Sequence, residues 1–361
     1  MKKATAVLSM LHESAEPRHS AARLFRDKPV LDWLPKAQSL AMQRGWTGAY
    51  YRVHIGPLPN GSSDTSEHNQ KSIGAWAATD ILMHPDHGLR TFCSPAEIAY
   101  FEYTSILASE GMRRIIFGLR DGMSDHEAAQ LAGYNGEPLG CHMTFATAEN
   151  RHGGLASPAG SRICRKDFIS MNVCYWGSNS CRAGWAASSA ADLPPAAQDY
   201  VAEFAGVYFE AMSEWFARLK IGETGDGLNE VIRTRLAFDK FGIFLNPGHL
   251  IHLDEWLSSP IFPGSQIQMH SGMAMQVDVI PSSSTYFSTR MEDGIVIANR
   301  DLQEKLQALY PDCFARCHQR REFMRNTLRI DVTDDVLPLS NMPGIVSPYF
   351  FSPNQILVMG K

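Results

Sequence analysis

The alternation of hydrophobic and polar positions divides the middle of the chain into helices and strands. Ser94-Pro-Ala-Glu97 is typical of a helix start, because serine caps the first turn, proline fits its first position and glutamate completes a capping box. The pattern after it predicts a long amphipathic helix that runs to about Arg114. Ser124-Asp-His-Glu127 repeats the cap and predicts a second helix that ends near Gly133.

Strand-like runs follow these helices, and the same order of elements then recurs. We predict strands at 139–148, 167–176 and 180–187, helices at 196–219 and 225–241, and further strands at 248–254, 273–280 and 289–298. The segment Leu119-Arg-Asp-Gly-Met-Ser-Asp-His-Glu127 is echoed by Leu219-Lys-Ile-Gly-Glu-Thr-Gly-Asp-Gly227. Such a repeat favours two similar halves, each burying its sheet beneath its own helices.

Residues 1–92 have a different, irregular pattern. Gly48–Ile55 and Ser72–Ala78 have the character of strands, and a polar loop rich in turn-forming residues lies between them at 57–64. A chain of 361 residues exceeds a comfortable single core. We therefore predict a small N-terminal α/β domain over 1–92 and a larger domain over 93–361.

Composition narrows the class of protein. Hydrophobic residues make up 44% and charged residues 20%, as in a globular protein with a sizeable core. A net charge of -5 argues against a nucleic-acid or anionic-membrane partner. No segment approaches the roughly 18–20 apolar residues that span a bilayer, and the N-terminal apolar run is too short for a signal peptide. We expect a cytoplasmic protein.

The cysteines favour reduced thiols. There are seven, and their spacing does not fit a disulfide framework. Cys313-x-x-x-Cys317-His318 has the residue types of a zinc site, but the flanking pattern is helical and no second pair of ligands accompanies it. A structural role is the better interpretation of these three residues.

Several short motifs, in order, resemble those of the pita-bread superfamily, which includes methionine aminopeptidase, aminopeptidase P, prolidase and the metal-free enzyme creatinase. They are Ser94-Pro-Ala-Glu-Ile98, the turn Gly118–Glu127 ("G-x-x-x-G-M-S/T-x-x-E"), Gly248-His249, Gly272-Met273 with Asp278 ("G-M-x-x-x-x-E-P"), and Arg290-Met-Glu292-Asp293 ("R-x-E-D"). The resemblance covers residues 94–300. It implies an α+β fold in which two pseudo-symmetric halves enclose a curved antiparallel sheet, and it implies a homodimer.

The chain departs from the family where the first two metal ligands belong. Asn172 and Cys181 stand in the places of two aspartates, whereas a dinuclear site needs carboxylates to bridge ions about 3.5–4 Å apart. Leu253-Asp-Glu-Trp256 stands where the family has "V-H-E", and His252 stands where glycine is usual. Creatinase keeps this fold without metal and carries Asn at the first ligand position. Resemblance to that branch implies a site with no metal and no cofactor.

Three residues keep the pattern of the remaining ligands. The resemblance makes His249 the group that moves a proton, while Asp278 and Glu292 hold a cationic group or position water. The alternatives are a buried structural histidine and carboxylates that form salt bridges with arginine. His252 is a lesser candidate, because residues three apart point to opposite faces of a strand.

Further residues are candidates for substrate binding. Arg182 and Arg290 can clamp a carboxylate in two-point fashion. Asn172 and Cys181 line the predicted pocket; Cys181 is either a nucleophile beside His249 or a small buried residue. The resemblance also places a substrate-contacting histidine near His152.

The sequence thus predicts a creatinase-like enzyme that works without metal and cleaves a C–N bond in a small amide or amidine derived from an amino acid. One alternative is a metal-dependent Xaa-Pro-type aminopeptidase, or a lyase, with a single ion. Another is a pseudo-peptidase that binds without catalysis. The retained His249, Asp278 and Glu292 favour chemistry.

Overall fold

A computed structural model describes residues 81–147 and 156–360. The chain divides into two units, Met1–Thr91 and Phe92–Lys361, and the second unit holds the elements named below. The predicted strands at 48–55 and 72–78, and with them almost all of the predicted N-terminal domain, lie outside the described residues. Over the described ranges, the helices are too short or too polar to cross a membrane.

The first half of the second unit follows the predicted order. Its elements are α1 (Pro95–Gly118), α2 (Asp125–Gln130), β1 (Phe145–Ala146), β2 (Phe168–Tyr175) and β3 (Ser178–Trp185). Both predicted capping boxes are present; at the first, Ser94 N–H donates to Glu97 Oε2 at 2.7 Å and Glu97 N–H donates to Ser94 Oγ at 3.3 Å. Helix α1 extends beyond the predicted end at Arg114, because Ile115 and Ile116 are buried in the core.

The second half repeats this order with shorter strands than predicted. Short 3₁₀ turns at Ala190–Asp192 and Pro195–Ala197 and a π-helix at Val201–Ala205 precede α3 (Gly206–Arg218), α4 (Gly225–Arg235) and α5 (Phe238–Phe241). The strands are β4 (His249–Leu250), β5 (Ala274–Gln276), β6 (Arg290–Glu292) and β7 (Gly294–Ile297). The single helix predicted at 225–241 is divided because buried Leu236 leaves the helical conformation, with φ -117° and ψ 78°.

The chain then forms α6 (Arg300–Leu309), α7 (Pro311–Phe323), a π-helix at Met324–Leu328 and β8 (Val336–Pro338). Cys313 and Cys317 lie on α7 as free, buried thiols, which agrees with their interpretation as structural residues.

The strands form two four-stranded antiparallel sheets, in the orders β1-β2-β3-β6 and β4-β5-β7-β8. Only Asp293 separates β6 from β7, so one bent segment of chain passes from the first sheet into the second. The two sheets therefore form one curved surface, and the ends of strands from both halves meet beside this bend.

The predicted repeat is confirmed by matching backbone geometry in the two halves. The N–H of Gly122 donates to the carbonyl of Ile163 at 2.8 Å, and the N–H of Gly222 donates to that of Met269 at 2.9 Å. The two glycines have φ values of 82° and 83°. In each half, the turn between two helices is thus hydrogen-bonded to the segment that leads into the sheet.

The packing of α1 decides which face of the first sheet carries polar residues. Ile169, Met171 and Val173 on β2 join a buried cluster with Met112 and Ile115 of α1. Because successive side chains of a strand point to opposite faces, the even-numbered positions of β2 face away from α1. Asn172 is one of these positions.

Replacing Gly177, in the two-residue turn between β2 and β3, tests the contact of this hairpin with α1. Gly177 has a φ of 74°, and an added Cβ would lie 1.9 Å from the Phe101 ring. Gly177→Ala should lower the free energy of unfolding by left-handed strain of about 1–2 kcal/mol plus an overpacking cost of about 1–3 kcal/mol. Urea denaturation measures the loss.

The matched control is Gly222→Ala. Gly222 has a φ of 83° with open space around the added Cβ, so this substitution should show the strain alone. Equal losses for the two variants would mean that the hairpin does not press on Phe101.

Candidate active site

Polar side chains from neighbouring strands form a row on the face of the sheet that points away from α1. Asn172 on β2 lies directly opposite Cys181 on β3, and Cys181 lies opposite Glu292 on β6. Directly opposite residues share a face, so the three side chains stand side by side. Asp278, which follows β5, extends this row. The N–H of the preceding residue, Val277, donates to the carbonyl of Asp293 at 3.0 Å, and this hydrogen bond brings Asp278 beside Glu292.

His249, Asp278 and Glu292 converge at the end of this row. One nitrogen or oxygen atom of each lies within 4.8 Å of the other two. Their exposed fractions are 0%, 5% and 2%. Ionisable groups this close and this deeply buried need compensating charge, because an isolated buried charge is costly. The structure therefore brings together the three residues that the sequence marked as most informative.

The His249 ring has a fixed orientation. Its Nδ1 lies 3.0 Å from the carbonyl of Leu250, which can only accept, so Nδ1 carries the proton. Nε2 then faces two carboxylates, 3.3 Å from Glu255 Oε1 and 3.6 Å from Asp278 Oδ2. Burial opposes the charged imidazolium, but these carboxylates raise the pKa of His249 to about 10. The ring of Trp256 covers the imidazole, with centroids 4.2 Å apart.

The cluster fits a single divalent metal ion. Among the described residues, neither His249 Nε2 nor Asp278 Oδ1 makes a hydrogen bond, although both atoms are buried. Imidazole nitrogen and carboxylate oxygen are common ligands of zinc, and a ligating histidine usually donates its other N–H to a carbonyl, as His249 does to Leu250. His249, Asp278 and Glu292 are the residues that would hold the ion.

Along the row of polar side chains, amides rather than further carboxylates lie on the Asn172 side of Glu292. Asn179 Nδ2 donates to Glu292 Oε1 at 2.8 Å, and Asn172 Nδ2 donates to Asn179 Oδ1 at 3.2 Å. These two hydrogen bonds form an amide relay from Asn172 through Asn179 to Glu292. The Thr144 N–H donates to Asn172 Oδ1 and fixes the orientation of the Asn172 amide. Burial and the neighbouring Asp278 charge raise the pKa of Glu292 well above its usual range. Neutral amides cannot bridge two ions as carboxylates do.

Cys181 and Arg290 contact each other within the row. Arg290 Nη1 donates to Cys181 Sγ at 3.3 Å, and both side chains are buried. Burial raises the pKa of the Cys181 thiol despite the neighbouring guanidinium, so the geometry favours a neutral thiol over a nucleophile. Arg290 also places positive charge near Asp278 and Glu292. Both residues, which the sequence predicted separately as candidates for substrate binding, lie in the row, and Arg290 offsets the negative charge of the carboxylates.

Arg182 points to the opposite face of β3 from Cys181. Its guanidinium donates to Asp293 Oδ2 at 2.6 Å, to Met342 O at 2.7 Å and to Glu292 O at 2.8 Å, and it is 1% exposed. The alternation of a strand explains this placement, because adjacent residues face opposite ways. Arg182 is engaged within the protein on the face away from the row, whereas the sequence predicted that it clamps a substrate carboxylate.

The other predicted histidines do not join the cluster in the described residues. His252 Nε2 lies 3.3 Å from Glu97 Oε1 at the start of α1, and its ring meets the edge of Phe101 at 5.1 Å. His249 and His252 therefore belong to different surroundings, as their spacing predicts. His152 lies outside the described residues.

The structure adds three residues that the sequence did not single out: Glu255, Trp256 and Asn179. Glu255 and Trp256 lie in the loop after His249, which has no periodic pattern, so their side-chain directions depend on tertiary folding. The position of Asn179 could have been predicted from the sequence. A two-residue hairpin turn at Trp176-Gly177 fixes the register that puts Asn179 opposite Cys174, on the face that also carries Cys181.

The chain has the pita-bread fold, which it shares with solved structures of peptidases. A prolidase from Pyrococcus horikoshii OT3 is 20% identical, with 58% of this chain and 61% of the prolidase covered and a TM-score of 0.50. An X-Pro aminopeptidase from Thermotoga maritima MSB8 is 17% identical, with 65% of this chain and 68% of that enzyme covered and a TM-score of 0.51. The chain thus spans less than two thirds of the prolidase. No family model and no curated protein matches the sequence.

Replacing Arg182 distinguishes a structural ion pair from a substrate clamp. Arg182→Met leaves Asp293 buried without its cation, so it should lower the free energy of unfolding by about 3–5 kcal/mol. Arg165→Met, which removes an exposed salt bridge to Asp192, should cost less than about 1 kcal/mol. Urea denaturation compares the two. A stable Arg182→Met protein with weakened substrate binding would instead make Arg182 a clamp.

Proposed function

We propose that this protein is a hydrolase of amide bonds that uses one divalent metal ion held by His249, Asp278 and Glu292. The observation that carries the proposal is the convergence of buried acceptor atoms, with Nε2 of His249 and Oδ1 of Asp278 making no hydrogen bond among the described residues. The fold, shared with a prolidase and an X-Pro aminopeptidase, supports a small Xaa-Pro-type peptide as the substrate class.

A single ion suits the charges of the site better than two. The side of Glu292 that would serve a second ion carries the amides of Asn172 and Asn179, which are occupied with each other. Arg290 adds a buried positive charge near the carboxylates. The metal-dependent alternative therefore has more support than the metal-free enzyme that the sequence favoured.

A divalent ion bound here would supply Lewis acidity towards a substrate carbonyl group. The protein's own groups would do the rest. Glu255 is the carboxylate on the more open side, with a side chain 21% exposed, and its Oε1 lies 3.3 Å from His249 Nε2. It is placed to accept a proton from water and return it to the leaving amine.

The surroundings also indicate how a substrate is held. Glu255, which is not one of the proposed ligands, would offer its carboxylate to the amino terminus of a short peptide. Trp256, 37% exposed, lies over His249 with the two rings tilted by 30° and would offer an apolar wall for a proline ring. A homodimer follows from the resemblance alone. Seven free cysteines support a reducing compartment such as the cytoplasm.

A second candidate is the metal-independent, creatinase-like hydrolase. It is favoured by the ion-pair distances around His249, whose Nε2 lies between Glu255 and Asp278, and by the raised pKa of about 10. In this arrangement the imidazolium would donate a proton to the leaving nitrogen of a small amide or amidine.

Metal content separates the two candidates. Protein purified without chelator or affinity metal should hold, or take up from Zn²⁺ or Mn²⁺, about one equivalent of ion, as measured by elemental mass spectrometry and titration calorimetry. His249→Ala should abolish this binding, because the cluster keeps only two carboxylates. Hydrolysis of a panel of Xaa-Pro dipeptides should follow the metal content.

The control is His252→Gln, which alters a buried histidine outside the cluster and should keep the ion. Less than about a tenth of an equivalent in wild-type protein after metal loading would refute the metal site. Turnover of small amides by that metal-free protein would then identify the creatinase-like candidate. No turnover of either substrate class would indicate a binding protein without catalysis.

Replacing Glu255 tests its role in proton transfer. Glu255→Gln keeps the size of the side chain and leaves the three proposed ligands intact, so the ion should remain while kcat falls by about 10²–10⁴. Steady-state kinetics and metal analysis on one preparation give both values. Glu214→Gln, at an exposed salt bridge with Arg235, is the matched control and should change neither. Unchanged kcat in Glu255→Gln would exclude it as the proton acceptor.

A further inference from the structure

Two free cysteines contact each other at the end of the amide relay. Cys141 N–H donates to Cys174 Sγ at 3.2 Å, and each thiol shifts the pKa of the other. Cys174 is buried on β2, whereas Cys141 is partly exposed in the irregular segment between α2 and β1. An oxidant in solution can therefore reach Cys141, and the segment that carries it belongs to neither a helix nor a strand.

The surroundings make the two thiols unequal. Cys141 Sγ accepts a hydrogen bond from Asn172 Nδ2 at 3.3 Å, and the Cys174 thiol donates to the carbonyl of Tyr175 at 3.8 Å. The Cys174 thiol lowers the pKa of the Cys141 thiol, with a smaller contribution from Asn172. The contact with Cys141 and burial raise the pKa of Cys174 well above its usual range. Cys141, which is partly exposed and the more readily ionised of the two, is thus the sulfur that an external disulfide meets first, and buried Cys174 would react second.

We propose that Cys141 and Cys174 form a reversible disulfide and make this edge of the site a redox modification site. The oxidant is a low-molecular-weight disulfide. The Cys141 thiolate attacks one of its sulfurs, the S–S bond breaks and one small thiolate leaves. Cys174 then attacks Cys141 Sγ in the mixed disulfide and releases the second small thiolate. One protein disulfide forms, and both thiol protons end on the two small thiols.

This disulfide would change the site through Asn172. Bonding to Cys174 would move Cys141 Sγ from its position 3.3 Å from Asn172 Nδ2, so Asn172 Nδ2 would lose this acceptor. Asn172 orients Asn179, and Asn179 donates to Glu292 Oε1. Loss of a group that orients a metal ligand typically lowers metal affinity by about 10–100-fold. This second effect rests on the proposed metal site, whereas formation of the disulfide does not.

The other cysteines are less suited to this reaction. Cys313 and Cys317 also interact, but both are buried on α7, with exposed fractions of 5% and 0%. Cys164 is exposed and serves as a control for general thiol reactivity.

The test treats full-length protein with oxidised glutathione, alkylates the remaining thiols and maps the peptides by mass spectrometry. We expect a peptide pair joined through Cys141 and Cys174, two hydrogen atoms lighter than the reduced pair and restored by dithiothreitol. Cys174→Ser should stop the reaction at a glutathione adduct on Cys141. Cys141→Ser should leave Cys174 without an adduct. Cys164→Ser should form the same disulfide as the wild type.

The proposal is overturned if both thiols stay open to alkylation after denaturation under conditions that modify Cys164, or if the adduct forms on Cys174 instead. Zn²⁺ titration of the oxidised and reduced protein then measures the effect on the site. A 10–100-fold weaker affinity after oxidation, reversed by dithiothreitol and absent in Cys141→Ser, is the expected result. A disulfide with unchanged Zn²⁺ affinity would refute the link through Asn172, and the metal site itself would stand.

Discussion

The arrangement of the site depends on balancing charge where water is largely excluded. His249, Asp278 and Glu292 are nearly inaccessible, and three such groups cannot all be ionised at contact distance without compensation. The protein supplies part of this compensation through Arg290 and through the Asn179 amide that donates to Glu292. The rest must come from a proton on His249 or from a bound cation, and the two proposed mechanisms differ in which of these is present.

The curved sheet makes this concentration of charge possible. One segment of chain crosses from the first four-stranded sheet to the second at Asp293, so strands of both halves bring side chains to one place. Alternation along each strand separates two polar systems. Cys181 and Glu292 face the site, while Arg182 and Asp293 pair on the opposite face beneath the helices. Adjacent residues in the sequence thus belong to different groups, one at the candidate site and one in a buried ion pair.

The amide relay joins the site to the thiols of Cys141 and Cys174. Asn172 hydrogen-bonds to both Asn179 and Cys141, so it is the shared member of the two groups. Where the resemblance implies carboxylate ligands, this chain has neutral side chains that are joined by hydrogen bonds and end at Cys141. The hydrogen bonds of Asn172 therefore connect Glu292, through Asn179, with a partly exposed thiol.

The sequence alone determined the elements and the ligand-like triad. Helix caps, the repeated turns and the motifs around His249, Asp278 and Glu292 are local signals, because capping, turn geometry and strand position depend on neighbouring residues. Strand lengths, the opposite placement of Arg182 and the entry of Glu255, Trp256 and Asn179 into the site were decided by tertiary structure. These features depend on register, on the bend at Asp293 and on which face the helices cover, and such long-range packing leaves little trace in any short segment.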